Sequence, residues 1–214
     1  MDSLHRLEEI FAKFPGIGPR QAKRFVYYIL NKSPSSIREF TQLIEEVKKS
    51  TLECSMCHRF FTLTSNLLPL NSKSSLCQIC SDTSRDQSSL MIVARDSDLE
   101  TVEKSHAYNG LYFVLGGTIP ILDKEPDKRI RLEMLLKRVS AVSAPTRSDL
   151  AEIILSLNTT PDGENTAQIV KEAIQKVVGA KPIKISVLGR GLSTGAELEY
   201  VDGETIKSAL KNRS

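Results

Sequence analysis

The four cysteines of this 214-residue chain stand in two matched pairs, Cys54 with Cys57 and Cys77 with Cys80. Two residues lie between the members of each pair, and 19 residues separate one pair from the other. A turn of this spacing presents two thiolates to one metal ion, and two such turns complete a tetrahedral sulfur shell. Because four thiolates leave no coordination position open for a substrate, the pattern predicts a structural zinc site.

Other interpretations of the cysteines fit the sequence less well. Buried free thiols or a redox pair would leave residues 51–89 with too little apolar sequence to fold. Residues 54–58 read Cys-Ser-Met-Cys-His, which matches the haem c attachment pattern. That chemistry usually follows export, and the N-terminus lacks the basic and apolar stretches of a signal peptide. We therefore expect no haem, and we expect His58 to lie at the surface or beside the ligands.

The turn at residues 14–20, which reads Phe-Pro-Gly-Ile-Gly-Pro-Arg, is a second candidate site. Gly16 and Gly18 let the backbone take positive φ and approach a neighbour closely. The helix that follows begins with backbone N–H groups that suit a phosphate oxygen. The basic residues in its first two turns are Arg20, Lys23 and Arg24. This helix-hairpin-helix pattern predicts contact with the DNA backbone, whereas a plain turn between helices would use the glycines for geometry alone.

The charge of the chain is unevenly distributed. Its net value, +3, is too small to indicate a nucleic-acid partner by itself, but residues 13–38 contain no acidic residue. The basic residues of that segment are Lys13, Arg20, Lys23, Arg24, Lys32 and Arg38. A local basic face can hold a polyanion on a nearly neutral protein, although a solvated helix surface has the same composition.

Three helices are predicted in the first 50 residues. The first begins at Asp2 or Ser3, either of which is a favourable N-cap, and ends before the glycine turn. The second begins at Pro19, a residue type favoured at the first helical position, and runs to about residue 30. The third begins at Pro34 and carries an apolar stripe. These helices position the candidate DNA-binding residues.

Strands and helices alternate from residue 90 onward. The predicted strands are residues 90–94, 111–115, 151–157 and 183–188. The predicted helices are residues 98–105, 127–142, 165–178 and 204–210. Alternation of this kind predicts right-handed β-α-β units and a mainly parallel sheet that is covered by helices.

The motifs occur in the order found in the RecR family, which the chain resembles over nearly its whole length. The resemblance includes residues 14–25, both cysteine pairs, residues 80–86, and Tyr-Asn-Gly-Leu-Tyr-Phe-Val-Leu-Gly-Gly at 108–117. It continues at 152–158, 162–167, 191–195 and 198–200. It implies an α+β protein of several modules. These are a helix-hairpin-helix DNA-binding module (1–52), a four-cysteine zinc finger (53–82), a Toprim-like α/β domain with a mainly parallel sheet (83–188) and a C-terminal segment (189–214).

The resemblance also implies a function. Members of the family assemble into a ring, often a tetramer, around DNA, and they help to load the RecA recombinase onto gapped or SSB-coated DNA. Their partners are RecO and RecF. For this chain we therefore expect a homo-oligomer that binds DNA in the cytoplasm without sequence specificity and acts on no small molecule. We expect no membrane contact, because no apolar run approaches the roughly 20 residues of a membrane span.

The acidic residues of the Toprim-like segment decide whether catalysis is expected. Catalytic Toprim domains hold magnesium with a glutamate at the end of the first strand and with later acids. Here Ala94 occupies the glutamate position; Asp98, with Asp96 beside it, lies past the first strand, and Asp162 and Glu164 follow the third strand. They make a poor magnesium cage, so we expect a non-catalytic protein in which they form a residual site or a partner contact. The alternatives are a magnesium-dependent nuclease or topoisomerase-like enzyme, and a zinc-ribbon interaction module without a DNA role.

Overall fold

The computed structural model describes residues 2–62, 76–123, 125, 128–142, 150–179, 182–189, 191–192, 195 and 197–212. Part of the family motif at 191–195 therefore lies outside the described residues. The chain forms two compact units, residues 1–51 and residues 52–214. In the ranges described, no helix is both long enough and apolar enough to cross a membrane.

The first unit contains α1 (Ser3–Ala12), α2 (Pro19–Leu30) and α3 (Pro34–Ser50). Asp2 caps α1, because its side chain accepts a hydrogen bond from the backbone N–H of Leu4. Ser33 caps α3 through the N–H of Ser36. Helices α1 and α2 pack against each other. The three helices expected in this segment are confirmed.

The second unit contains the larger sheet and the cysteine segment, whose first strand begins at the last residue of the first unit. The cysteine segment forms a two-stranded ladder, β1 (Thr51–Glu53) with β2 (Phe60–Thr62), and a single-turn helix, α4 (Gln78–Ser81). Four parallel strands form the larger sheet in the order β4-β3-β5-β6. They are β3 (Asp86–Val93), β4 (Gly110–Val114), β5 (Glu152–Ser156) and β6 (Lys184–Val187). The expected parallel sheet is confirmed.

Helices cover both faces of this sheet. They are α5 (Asp96–Ser105), α6 (Leu132–Val142) and α7 (Pro161–Val178); a 3₁₀ turn (Leu198–Tyr200) and α8 (Gly203–Lys211) follow near the C-terminus. Successive residues of a strand point to opposite faces. Leu90 and Ile92 of β3 therefore pack in a core with α6 and α7, whereas Met91 and Val93 pack with the cysteines and with Leu99 of α5. The cysteines belong to the core on one face of the sheet.

Helix α6 begins at Leu132, five residues later than the sequence predicts. The backbone N–H of Arg131 donates a hydrogen bond to the carbonyl of Leu115. This bond holds Arg131 against the end of β4, and the helix begins at the next residue.

Helix α7 begins at Pro161, four residues earlier than the sequence predicts. The side chain of Thr160 accepts a hydrogen bond from the backbone N–H of Gly163, and proline is favourable at the first helical position. The earlier start places Asp162 and Glu164 in the first turn of α7.

Candidate metal centre and nucleic-acid interface

The four cysteines meet on the sheet face that also carries α5. Their sulfur atoms all lie within 4.8 Å of one another, and the Sγ atoms of Cys57 and Cys77 are 3.5 Å apart. Cys54, Cys57 and Cys77 are buried, and Cys80 is partly exposed. Sulfur atoms about 2.3 Å from a central ion in a tetrahedron lie about 3.8 Å from one another. The cluster therefore fits one tetrahedral metal ion with four thiolate ligands.

The thiol groups change one another's protonation. Hydrogen bonds with the other cysteines, first of all with Cys57, lower the pKa of Cys54. Hydrogen bonds with Cys54, Cys57 and Cys77 raise the pKa of Cys80, and the one with Cys54 has the largest effect. The thiols therefore do not ionise independently, and a cation bound between them would compensate the charge of the thiolates.

Backbone hydrogen bonds hold the first cysteine pair in a closed turn at the edge of β4. The N–H of His58 donates to the carbonyl of Cys54 at 3.0 Å, and the N–H of Cys54 donates to the carbonyl of Arg59 at 2.9 Å. The N–H of Val114 donates to the carbonyl of Cys57 at 2.8 Å. Because β4 is an outer strand of the sheet, this turn takes the place of a further strand.

Two arginines complete the cover over the edge of β4. Arg138, on α6, donates to the carbonyl of Met56 and to the carbonyl of Tyr112, at 2.7 Å in both cases. Arg131 donates to the carbonyl of Val114 at 3.3 Å. Arg138 thus joins the cysteine turn to β4, whereas Arg131 contacts β4 itself.

His58 lies beside the cysteine cluster. Its Nδ1 is 2.8 Å from Oε1 of Glu53, and its ring packs against Phe113 with ring centres 5.2 Å apart. The Nε of Arg131 is 3.3 Å from the same Glu53 oxygen. Among the described residues, the ligand atoms close enough to share an ion are those of the cysteines.

The glycine turn joins α1 to α2. Gly16 has a φ of +75°, in the left-handed region that favours glycine, and the N–H of Ile17 donates to the carbonyl of Phe14. Gly18 is the N-cap of α2 with a φ of −85°, and its N–H donates to the side chain of Gln21. The turn therefore requires glycine for conformation at Gly16, whereas Gly18 starts the helix in an extended conformation.

The basic residues predicted to bind DNA are all exposed; they are Arg20, Lys23 and Arg24. A helix turns about 100° per residue, so they share one side of α2 with Tyr27, and the buried Ala22 and Val26 lie on another. The Nζ of Lys23 is 6.0 Å from the centre of the Tyr27 ring. The sequence thus places three positive charges at the N-terminal half of α2 without using any buried position.

The acidic candidates of the Toprim-like segment bind backbone groups. Oδ2 of Asp98 accepts from the N–H of Arg95 at 2.9 Å, and Oδ1 of Asp162 accepts from the N–H of Ile121 at 3.4 Å. Glu164 follows in the same turn of α7 as Asp162. In the described ranges, no carboxylates gather as a group of three that could hold one ion. The alanine at position 94 is fully buried directly after β3.

Two contacts around the cysteine segment were missed by sequence reasoning. Oδ1 of Asp96 accepts from the N–H of Phe60 at 2.8 Å and joins α5 to β2. The other contact is the pair of hydrogen bonds that Arg138 donates to the carbonyls of Met56 and Tyr112. Arg138 lies on α6, three residues after Leu135 and one before Val139, which are both fully buried. A positive charge beside the apolar stripe of a helix is the signal that could have identified it, because such a charge needs polar partners.

The fold and the site define a class of protein, and comparison with known families agrees. Residues 88–189 match the Toprim domain, so the chain is a Toprim-domain protein with a cluster of four cysteines that could hold a metal ion. Residues 191–214 match the family described as RecR, C-terminal.

Curated relatives cover the whole chain. It is 34% identical over 213 residues to the Recombination protein RecR of Limosilactobacillus fermentum, an alignment that covers 100% of this chain and 97% of that protein. It is 35% identical over 211 residues to the Recombination protein RecR of Prochlorococcus marinus subsp. pastoris, with coverage of 99% and 95%. The chain belongs to the RecR family, as its motifs indicate, and this membership supports a role as a recombination mediator.

Proposed function

We propose that this chain is a non-catalytic, zinc-containing recombination mediator that binds the DNA backbone in the cytoplasm. In this proposal it assembles into a tetrameric ring around DNA and acts with RecO and RecF to load RecA onto gapped or SSB-coated DNA. The observation that carries the proposal is the exposed basic side of α2 next to the glycine turn, in a member of the RecR family.

Zinc is supported by the chemistry of the donor set. Thiolates are soft ligands, and a closed shell of four is typical of structural zinc sites in proteins. The hydrogen bonds that fix the cysteine turn to β4 suit a structural ion, because they leave the site little freedom to open.

DNA binding through α2 is supported by charge and position. Arg20, Lys23 and Arg24 lie in the first two turns of a helix, where the helix dipole also favours a phosphate. Contacts of this kind bind the backbone and carry no sequence information. A single hairpin makes few such contacts, so binding by one chain should be weak.

Assembly into a ring is supported by an exposed apolar stripe on α3. Its side chains are about half exposed, and they are Phe40, Leu43, Ile44 and Val47. An open apolar groove of about 530 Å³ lies between the helices of the same unit, and Phe11, Phe25 and Phe40 line part of it. Contiguous apolar surface of this kind is typical of faces that are buried on association. A ring would also bring several hairpins to one DNA molecule and raise their effective concentration.

A non-catalytic role is supported by the Toprim acids. The buried Ala94 stands where catalytic Toprim domains have a glutamate. Asp98 and Asp162 each accept a hydrogen bond from a backbone N–H group. These residues lack the arrangement that would hold magnesium at one point. Purified protein with magnesium or manganese should therefore leave supercoiled and single-stranded DNA uncut; cleavage that disappears in Asp162→Ala would instead support the nuclease alternative.

The DNA-binding surface is tested by charge reversal. The double variant Arg20→Glu with Arg24→Glu should lower affinity for DNA by at least about tenfold at low salt, because phosphate contacts become repulsions. Wild-type binding should weaken steeply as salt rises and should not depend on base sequence. Fluorescence anisotropy at two salt concentrations measures both effects.

A matched control separates local contacts from overall charge. Lys104→Glu with Lys176→Glu changes two exposed basic residues on α5 and α7 and alters the net charge equally. This control should bind DNA nearly as well as wild type. If the α2 variant remains folded and binds as tightly as wild type at low salt, the glycine turn is a structural element and the DNA surface lies elsewhere.

A further inference from the structure

Arg138 reaches from α6 into the surroundings of the cysteine cluster. Burial lowers the pKa of its guanidinium, and the groups that act in the opposite direction are the four cysteine sulfurs. Among the ion pairs of the described residues, none joins Arg138 to a carboxylate. The anionic partner that the surroundings offer to this partly buried cation is therefore the thiolate cluster.

The two hydrogen bonds of Arg138 connect the cluster to the sheet. One goes to the carbonyl of Met56, which lies between Cys54 and Cys57, and the other goes to the carbonyl of Tyr112 in β4. The Met56 carbonyl and the Cys57 N–H belong to one peptide unit and point in opposite directions. Holding the Met56 carbonyl thus fixes the orientation of the peptide that leads into the ligand Cys57.

The positive charge of the Arg138 guanidinium also offsets the negative charge of a metal–thiolate cluster. Four thiolates around one divalent ion carry a net charge of about −2. Three of the cysteines are buried, and negative charge in a buried site is costly unless a positive charge lies nearby. Neighbouring groups of this kind commonly set the metal affinity of a site, because they orient the ligands and adjust their basicity.

We propose that Arg138 is a positioning residue of the metal centre, which compensates the charge of the metal–thiolate cluster and orients the Met56–Cys57 peptide. The proposal rests on the assignment of zinc to the four cysteines. A role limited to covering the edge of β4 would predict lower stability in Arg138 variants but unchanged properties of the metal.

Three variants separate charge from hydrogen bonding. Arg138→Met removes both, Arg138→Gln keeps a donor without charge, and Arg138→Lys keeps the charge with a donor of different shape. The zinc affinity of the purified full-length protein, measured by competition with a chromophoric chelator, should fall about 10- to 100-fold in the Met and Gln variants. It should fall less in the Lys variant. If the Met variant does not fold, the comparison of Gln with Lys carries the test.

The pH at which half of the zinc is released provides a second readout. Loss of the positive charge makes the thiolates easier to protonate, so the neutral variants should release zinc at a higher pH than wild type. Arg85→Met is the control, because Arg85 also donates to a β4 carbonyl, that of Gly110, but pairs with Glu103. Its zinc affinity and release pH should match those of wild type.

The outcomes distinguish this inference from the assignment of zinc. Wild-type protein that retains no zinc would overturn the zinc assignment and this inference with it. Wild-type protein that retains zinc, together with Met and Gln variants of equal zinc affinity and equal release pH, would overturn the role of Arg138 alone.

Discussion

At the scale of single residues, the buried cysteines act both as ligand candidates and as part of a hydrophobic core. Cys54, Cys57 and Cys77 belong to the core cluster that also contains Tyr112 and apolar residues of β3 and α5. An ion that draws the sulfurs together therefore also orders the side chains on this face of the sheet. Metal content and folding stability should change together.

Replacement of one ligand tests this coupling. Cys77→Ser should reduce the zinc content from about one ion per chain and should lower the free energy of unfolding by several kcal/mol, because zinc binding contributes directly to folding. Metal analysis and urea denaturation measure the two effects. Gln78→Ala is the control, since Gln78 is exposed between two ligands and should leave both quantities nearly unchanged. Full zinc retention in a Cys54→Ser and Cys77→Ser double variant would contradict the site.

At the scale of secondary-structure elements, a salt bridge fastens α5 to the start of β3. Arg85 donates to both carboxylate oxygens of Glu103, with Nη1 to Oε1 at 2.9 Å, and also to the carbonyl of Gly110. Burial acts to raise the pKa of Glu103, but the hydrogen bonds and the positive charge of Arg85, together with smaller contributions from Tyr112 and Arg59, lower it overall. The charged form of Glu103 is therefore favoured in the folded protein.

The contribution of this pair should depend on pH. Because the pKa of Glu103 is lower in the folded chain than in the unfolded chain, the stabilisation is complete above the unfolded value and is lost as the pH falls through the folded value. Glu103→Gln should lower the free energy of unfolding by about 1–3 kcal/mol at about pH 7 and by less in acid. Urea denaturation of wild type and variant across this range measures the difference. Glu100→Gln, at an exposed position of α5, should show little change, and a difference for Glu103→Gln that persists undiminished in acid would contradict the pairing.

Local patterns in the sequence predict most elements of this fold, but not the contacts between distant segments. The strand expected at 111–115 is observed at Gly110–Val114, because a short apolar run before paired glycines has a clear local signal. The three-residue strands β1 and β2 have no such signal, since the closed cysteine turn pairs them. Arg138 was missed for a related reason: its partners are backbone carbonyls 82 and 26 residues away, which no side-chain pattern reveals.

At the scale of the whole molecule, the chain has two compact units of different character. The sheet unit has a core on each face, with fully buried residues such as Phe113 and Tyr112. In the helical unit, α3 has no buried residue. A unit with so little enclosed apolar surface gains stability when a second surface covers it.

Assembly is tested with single substitutions on α3. Ile44→Glu places a charge in the apolar stripe and should shift the native mass from a multiple of 23.8 kDa towards that of one chain. Gln42→Glu adds the same charge on the opposite side of the helix and should leave the mass unchanged. Native mass spectrometry or light scattering measures both variants. A wild-type mass of one chain at micromolar concentration would contradict the ring.

The turn that occupies the edge of β4 has a consequence for the production of this protein. The N–H of Val114 and the carbonyl of Tyr112 are satisfied by the cysteine turn and by Arg138. If the turn opened for lack of metal, these groups would become an unprotected sheet edge, which is a template for pairing with another chain. Metal starvation during expression should therefore send the protein into the aggregated fraction, and chelators in the lysis buffer should reduce the yield.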